Sequence, residues 1–539
     1  MSVALSGGGH RASAWGLGTL YGLVRVRQAE HAKADGVVIS TATIASVSGG
    51  SVTNGVLAKS LHDRGADFDD VPAADFRTAL QDLVGTIATE GLIPAHGPHR
   101  TKRYVVTLAV SCALLVALFT AFLVGVLTVA RGRPEWQIGI PVYLGAGALV
   151  GGALAARRRQ WWFVPAALLI AVVGVVTHVA IGDTHGRAAL TTLLVLMVGV
   201  SAAGYLFVVL LSRRGSELER TLDRVHFDGQ RLVDLRDAST LHVFCATELQ
   251  SGHQAFFTRD LVFEHDAGEG DPGDLRLATV VRASASLPIA FPPVEIELAD
   301  AKVTLARSWP AAGAPDTAVD RLVLADGGVY DNMADEWEYG YLDRILESDR
   351  LPDTGRRDPR LANDGKVNFL VMANAGKNMS WRGLPHTRSR VRREMRGLAR
   401  DQHIEYDETT TQRRRAILRL FGQAEQTGTG LVGIIASPVT SPLEICTAFD
   451  GDQGRAARVA ECRAALQAQG EHWDELALRN TNVKTTLERI GPECTIDLLL
   501  HAATLVGISC YLVHGLGTLD LVTRAEIEAW VQSAVDAPR

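Results

Sequence analysis

The sequence predicts an α/β protein interrupted by a block of membrane-spanning helices, and three observations predict it. Short apolar runs such as LHVFCATEL, LATVV, RLVLA and VNFLVMANA alternate with helical stretches, the pattern of an α/β sheet. At SVALSGGGHR and at TIASVSGGS a strand-like run leads through small residues into a stretch that can continue as a helix. Between residues 104 and 212, by contrast, four stretches carry almost no charge.

The four stretches are 104–130, 137–156, 161–182 and 188–212. Each has about 20 residues or more, enough at about 1.5 Å rise per residue to cross a hydrocarbon core of about 30 Å. Arg100, Lys102 and Arg103 precede the first stretch, Arg157, Arg158 and Arg159 separate the second from the third, and Arg213 and Arg214 follow the fourth. The remaining two loops are poorer in cations, so the positive-inside rule puts both flanking portions in the cytoplasm. An even number of crossings returns the chain to the face it left. His178, near the outer end of the third stretch, reads as an interfacial residue or a mark of a polar pathway.

Composition sets the outer limits. The 539 residues carry 47% hydrophobic and 21% charged side chains, with 54 Lys+Arg against 60 Asp+Glu and a formal charge of −6. No chain-wide basic field exists to hold nucleic acid. The six cysteines are scattered without a C-x-x-C pair, which suits a reducing compartment. The chain enters SGGGHR from SVAL with no basic and apolar leader in between, so no secretory signal is expected. No H-E-x-x-H or similar spacing appears, FDGDQG at 449–454 lacks the rest of a calcium loop, and neither metal nor cofactor is expected.

Three segments carry residues suited to chemistry. In TIASVSGGS a buried strand would meet a helix at Ser48, a tight elbow in which Gly49 and Gly50 relieve crowding and the hydroxyl projects. Ser46 stands where the usual G-x-S-x-G elbow has its first glycine. In SGGGHR the consecutive Gly7, Gly8 and Gly9 let backbone N–H groups converge at a helix start, fit for an oxyanion or a phosphate, or make a plain glycine turn. In RLVLADGGVYDN, Asp326 ends an apolar strand before a Gly-Gly turn, either at a ligand-binding sheet edge or as a turn cap.

In this order SGGGHR, SVSGG and ADGG resemble the patatin-like phospholipases and the related catalytic domain of cytosolic phospholipase A2. CATELQSG at 245–252 and RASASLPIAFPP at 282–293 are similar to two further segments of that family, and NTNVKTTLERIGPECTIDLLLHAATL resembles its closing helix. The resemblance covers residues 1–60 and 240–335 best. It departs at Ser46 and in an opening strand of only SVAL, which leaves room for a start further upstream.

The resemblance implies a three-layer, α/β-hydrolase-related catalytic domain split in sequence, with residues 1–100 and 215–539 on either side of an inserted 101–214. It implies a serine acyl hydrolase working through a Ser–Asp dyad on membrane phospholipid or lysophospholipid. Ser48 is the implied nucleophile and Asp326 its base, Gly7, Gly8 and Gly9 the oxyanion hole, and Arg11 a holder of lipid phosphate. Transfer of the acyl group to another acceptor uses the same residues, and a catalytically silent lipid sensor is the rival outside catalysis. The implied setting is the inner membrane of a bacterium, with the catalytic domain on the cytoplasmic side. Arg382, Arg388, Arg390, Arg392, Arg393, Arg396 and Arg400 form either a solvated helix face paired with Glu394 and Asp401 or a contact to anionic lipid.

Overall fold

A computed structural model of the chain describes residues 1–93, 215–235, 240–288, 290–306, 319–338, 369–376, 390–427 and 431–537. The four apolar stretches, His178 and the side chains of the Arg382–Arg400 cluster lie outside the described residues. The chain divides into two compact units, Met1–Ala95 together with Arg213–Arg539, and His96–Ser212. The first unit holds SGGGHR, SVSGG and ADGG alike.

The core of that unit is a ten-stranded mixed sheet with helices on both faces. Strands β1 (Ser2–Leu5), β2 (Thr43–Ser46), β3 (Leu241–Glu248), β9 (Phe369–Ala373) and β10 (Val432–Ala436) run parallel in the order β10-β9-β1-β2-β3. Beyond β3 the sheet turns antiparallel through β4 (Gln254–Phe257), β5 (Val262–Glu264) and β6 (Gly268–Gly270). Strands β7 (Val294–Glu297) and β8 (Arg321–Asp326) form a hairpin, and β8 also pairs antiparallel with β3.

Period-2 alternation decides which residue faces which layer. Ala4, Ala45, Val243, Cys245, Leu370 and Met372 face one core, and Val3, Leu5, Ile44, Phe244, Val371 and Ala373 the other. Both sets are buried, and so the central strands read as continuous apolar runs. Helix α1 (Gly9–His31) follows β1 and α2 (Gly49–Arg64) follows β2. On the opposite face, Ile417 of a long helix over 390–427 packs with Met333, Trp337 and Phe256.

The run LATVV, which sequence places among the sheet-forming segments, is instead the start of a helix, Leu277–Ser284. Leu277, Val280, Val281 and Ser284 are buried, an i, i+3, i+4, i+7 stripe that period-2 pairing would have split between two faces. Five apolar residues are too few to distinguish the two periods.

Among the described residues one helix, Pro492–His514, is long and apolar enough to cross a membrane, and 78% of its apolar window is buried inside the protein. It is the core helix packed along α1. Gly18 and Gly22 of α1 permit that approach, since a Cβ at Gly18 would fall 2.7 Å from the Leu499 carbonyl oxygen and one at Gly22 2.9 Å from that of Ala503.

Candidate active site

Sheet register alone brings two strand ends together. Ala246 of β3 pairs with Ala255 of β4 and with Asp326 of β8, so β8 occupies the edge of β3 opposite β4, which is also the edge taken by β2. Strand β2 runs up that edge and ends with Ser46 beside Phe244, while β8 runs down it and ends with Asp326 beside Ala246. Two residues of strand, about 7 Å, separate the two registers. The loops that leave these ends carry Ser48 and Asp326.

Ser48 has φ 53° and ψ −118°, a conformation costly for a side chain with a Cβ, and it directly precedes α2. The strain is held by close packing: a Cβ at Gly49 would lie 2.0 Å from the Gly9 carbonyl oxygen, and one at Gly50 2.4 Å from that of Leu5. The Ser48 N–H donates to Ser284 Oγ at 3.0 Å. Ser284 Oγ donates in turn to the Cys245 carbonyl at 2.6 Å and bonds Ser51 Oγ at 2.8 Å. Ser51 reaches Ser46 Oγ at 3.1 Å, and Asn54 Nδ2 donates to the same oxygen at 2.9 Å. The serine that replaces the first elbow glycine thus anchors a buried polar chain under the elbow.

Asp326 is 1% exposed. Its Oδ1 accepts the Gly328 N–H at 2.8 Å, so the carboxylate does cap the turn that follows it. Oδ2 is buried without a partner of hydrogen-bond geometry, although the Ser48 hydroxyl is near enough to favour the ionised carboxylate. Hydroxyl and carboxylate are therefore neighbours without an aligned bond. Burial pushes the carboxyl up to about 6, against the opposing pull of the Gly328 N–H and the Ser48 hydroxyl. Gly327 is required because a Cβ there would meet the Cys245 carbonyl oxygen at 2.3 Å.

The glycine loop faces the same point, with one correction to its membership. The Gly7 N–H donates to the Asn332 carbonyl at 2.9 Å and is thereby taken. The N–H groups of Gly8 and Gly9, and that of Gly49 after Ser48, have no acceptor among the described residues. Gly8 and Gly9 adopt φ 139° and 60°. Ser13 Oγ ties the two helix starts together by donating to the carbonyls of Gly49 at 2.7 Å and Gly9 at 3.3 Å. Two helix N-termini and their unpaired N–H groups thus converge beside Ser48, a suitable cradle for an oxyanion.

Arg11 does not stand open to a lipid phosphate. It is 4% exposed, and its Nη1 donates to the Val483 carbonyl at 2.8 Å, which ties α1 to the loop before the Pro492–His514 helix. His10 is also turned to that loop, with its N–H donating to Thr486 and Nδ1 beside the Glu488 carbonyl at 2.9 Å. Burial lowers its pKa to about 4, and its contacts run to Thr486 and Glu488 instead of to Ser48 or Asp326.

Sequence does not single out Ser284 or Asn332, nor the N–H of Gly49 as a donor. That N–H does follow from the elbow rule that the residue after the nucleophile supplies one. Ser284 lies inside RASASLP at the end of the Leu277–Ser284 helix, and only the packing of that helix reveals its bond to the Ser48 amide. Arg413, on the long helix, pairs with Glu336 at 2.9 Å and Asp335 at 3.5 Å and lies 4.0 Å from Asp331, and so braces the segment that follows Asp326. No protein-family model matches this chain, and no curated protein matches it.

Proposed function

We propose that this protein is a patatin-like serine acyl hydrolase that cleaves fatty-acyl esters of phospholipids or lysophospholipids. One observation carries the reading: Ser48, held at a left-handed φ between a strand and a helix, lies beside the buried carboxyl group of Asp326, whose Oδ2 has no other partner. In the proposed reaction Ser48 Oγ attacks the ester carbonyl carbon and passes its proton to Asp326 Oδ2. The N–H groups of Gly8, Gly9 and Gly49 receive the oxyanion. Collapse expels the alcohol portion of the lipid, which takes the proton from Asp326, and water then releases the fatty acid by the same steps in reverse. A carboxylate whose pKa is raised to about 6 is a better base than an ordinary aspartate and is still mostly ionised at neutral pH.

The four apolar stretches between 104 and 212 support a multi-pass inner-membrane location for this chemistry, with the catalytic unit on the cytoplasmic face beside its substrate. The test is reaction of the purified full chain with a fluorophosphonate probe, together with fatty-acid release from phospholipid vesicles. Wild type is expected to form one adduct at Ser48, and Ser48→Ala none. Asp326→Asn is expected to lose both reactions. Fatty-acid release that persists in a purified Ser48→Ala or Asp326→Asn variant overturns the dyad.

A further inference from the structure

A second cluster of reactive side chains lies on the antiparallel half of the sheet, away from the dyad. His253 precedes β4, Glu264 ends β5, and Asp266 sits in the turn after β5. Pairing of Ala255 with Glu264 brings the two strand ends side by side. His253 Nδ1 is 3.3 Å from Asp266 Oδ2 and 3.8 Å from Glu264 Oε1. One ligand atom from each of the three falls within 4.8 Å of the others, the only such group of His, Cys, Asp and Glu among the described residues.

Two features set this cluster apart from an ordinary ion pair. His253 Nδ1 is buried, although the side chain is 41% exposed, and it makes no hydrogen bond that meets geometric criteria despite the two carboxylate oxygens in front of it. The nitrogen is aligned with neither oxygen, and a ligand atom sharing a common centre with both would be placed in the same way. The second feature is the fixed state of Glu264. It is 1% exposed, its Oε1 accepts Ser251 Oγ at 2.8 Å, and its Oε2 accepts the N–H groups of Asp266 at 2.9 Å and Ala267 at 2.6 Å. Those bonds orient the carboxylate toward His253, as outer partners orient a metal ligand.

We propose that His253, Glu264 and Asp266 bind a divalent first-row cation, with zinc as the favoured ion. Ligands about 2.1 Å from a tetrahedral zinc lie about 3.4 Å apart, close to the His253–Asp266 separation and a small side-chain adjustment from the His253–Glu264 one. One imidazole nitrogen and two carboxylate oxygens leave a position for water. The role is structural. Asp326, Ala246, Ala255 and Glu264 form one row across the sheet, so Glu264 stands three strand spacings, about 14 Å, from the base. A cation here would pin the turn between β3 and β4 to the turn between β5 and β6. The proposal stands independently of the acyl-hydrolase reading.

The test uses the purified full chain, stripped with chelator and titrated with zinc chloride and separately with cobalt chloride. Wild type is expected to bind one equivalent of zinc more than His253→Ala or Asp266→Asn, and to melt at a higher temperature when loaded. Ser251→Ala, which removes an outer hydrogen bond, is expected to weaken zinc on the order of 10- to 100-fold. The cobalt form is expected to show ligand-field bands without thiolate charge transfer, and both ligand variants should lose those bands while keeping wild-type far-ultraviolet circular dichroism. Equal zinc stoichiometry in wild type and both folded ligand variants overturns the proposal. So does a cobalt spectrum dominated by thiolate.

Discussion

At the scale of single residues, the candidate site combines a strained serine with a carboxylate that the fold makes uncomfortable. Asp326 is ordinarily ionised above about 4 and here only above about 6, so the native state takes up a proton in that interval that the unfolded chain does not. As pH rises through the interval, stability is lost, by about 3 kcal/mol at neutrality. Asp326→Asn keeps the Oδ1 acceptor and removes the charge, and it is expected to raise the denaturation midpoint at pH 7 while abolishing turnover. In wild type, kcat/KM should fall about tenfold per pH unit below about 6, where the base becomes protonated. A profile flat down to pH 5 would remove Asp326 from that role. Ser284→Ala leaves the Ser48 N–H without its acceptor, and urea titration should show a loss of about 1–3 kcal/mol, with slower probe labelling of Ser48. Ser48 and Asp326 were legible in sequence as hydroxyl and carboxylate at strand ends. The exclusion of Gly7 and the burial of Arg11 were not, because each depends on a carbonyl far away in the chain, Asn332 in one case and Val483 in the other.

At the scale of elements, what was legible depended on length and on the neighbours each segment meets. The strand at 241–248 and the apolar run ending at Asp326 carry enough consecutive apolar residues and flanking turn residues to be recognised from sequence. The helix at Leu277–Ser284 was hidden, because its apolar stripe shows only over eight residues and requires knowing which face meets β3. The Pro492–His514 helix shows the reverse problem: it is apolar enough for a bilayer, and only its burial against α1 identifies it as core. That packing depends on missing side chains. Gly18→Ala puts a methyl 2.7 Å from a backbone oxygen and 2.9 Å from Ala502 Cβ, neither of which can swing away. Chemical denaturation of this variant is expected to show a loss of about 1–3 kcal/mol. The same substitution at Gly65, where nothing lies within 4 Å, tests backbone strain alone, since its φ is 57°.

At the scale of the whole molecule, buried titratable groups set an acid limit. His10 and His501 are buried, and burial lowers each to about 4 from the ordinary 6.5. Between those values the unfolded chain binds protons that the native state refuses, so stability falls as pH drops from about 6.5 to about 4. Asp326 works in the opposite sense over much of the same range. Melting curves from pH 7 to pH 4 should therefore show a steeper acid loss for Asp326→Asn than for wild type, and the advantage of the variant should disappear near pH 4. Equal slopes would contradict this opposition.

The order in which the strands leave the ribosome differs from their order in space. The edge of β3 that receives Asp326 is complete only when β8 has been made, and β1 finds its second neighbour, β9, later still. A growing chain that has just finished the segment before Arg213 holds Ser48 without Asp326 and a first strand with one side bare. Such a polypeptide lacks the Ser48–Asp326 pair while residues 96–212 are being made, and the pair can assemble only after synthesis has passed β8.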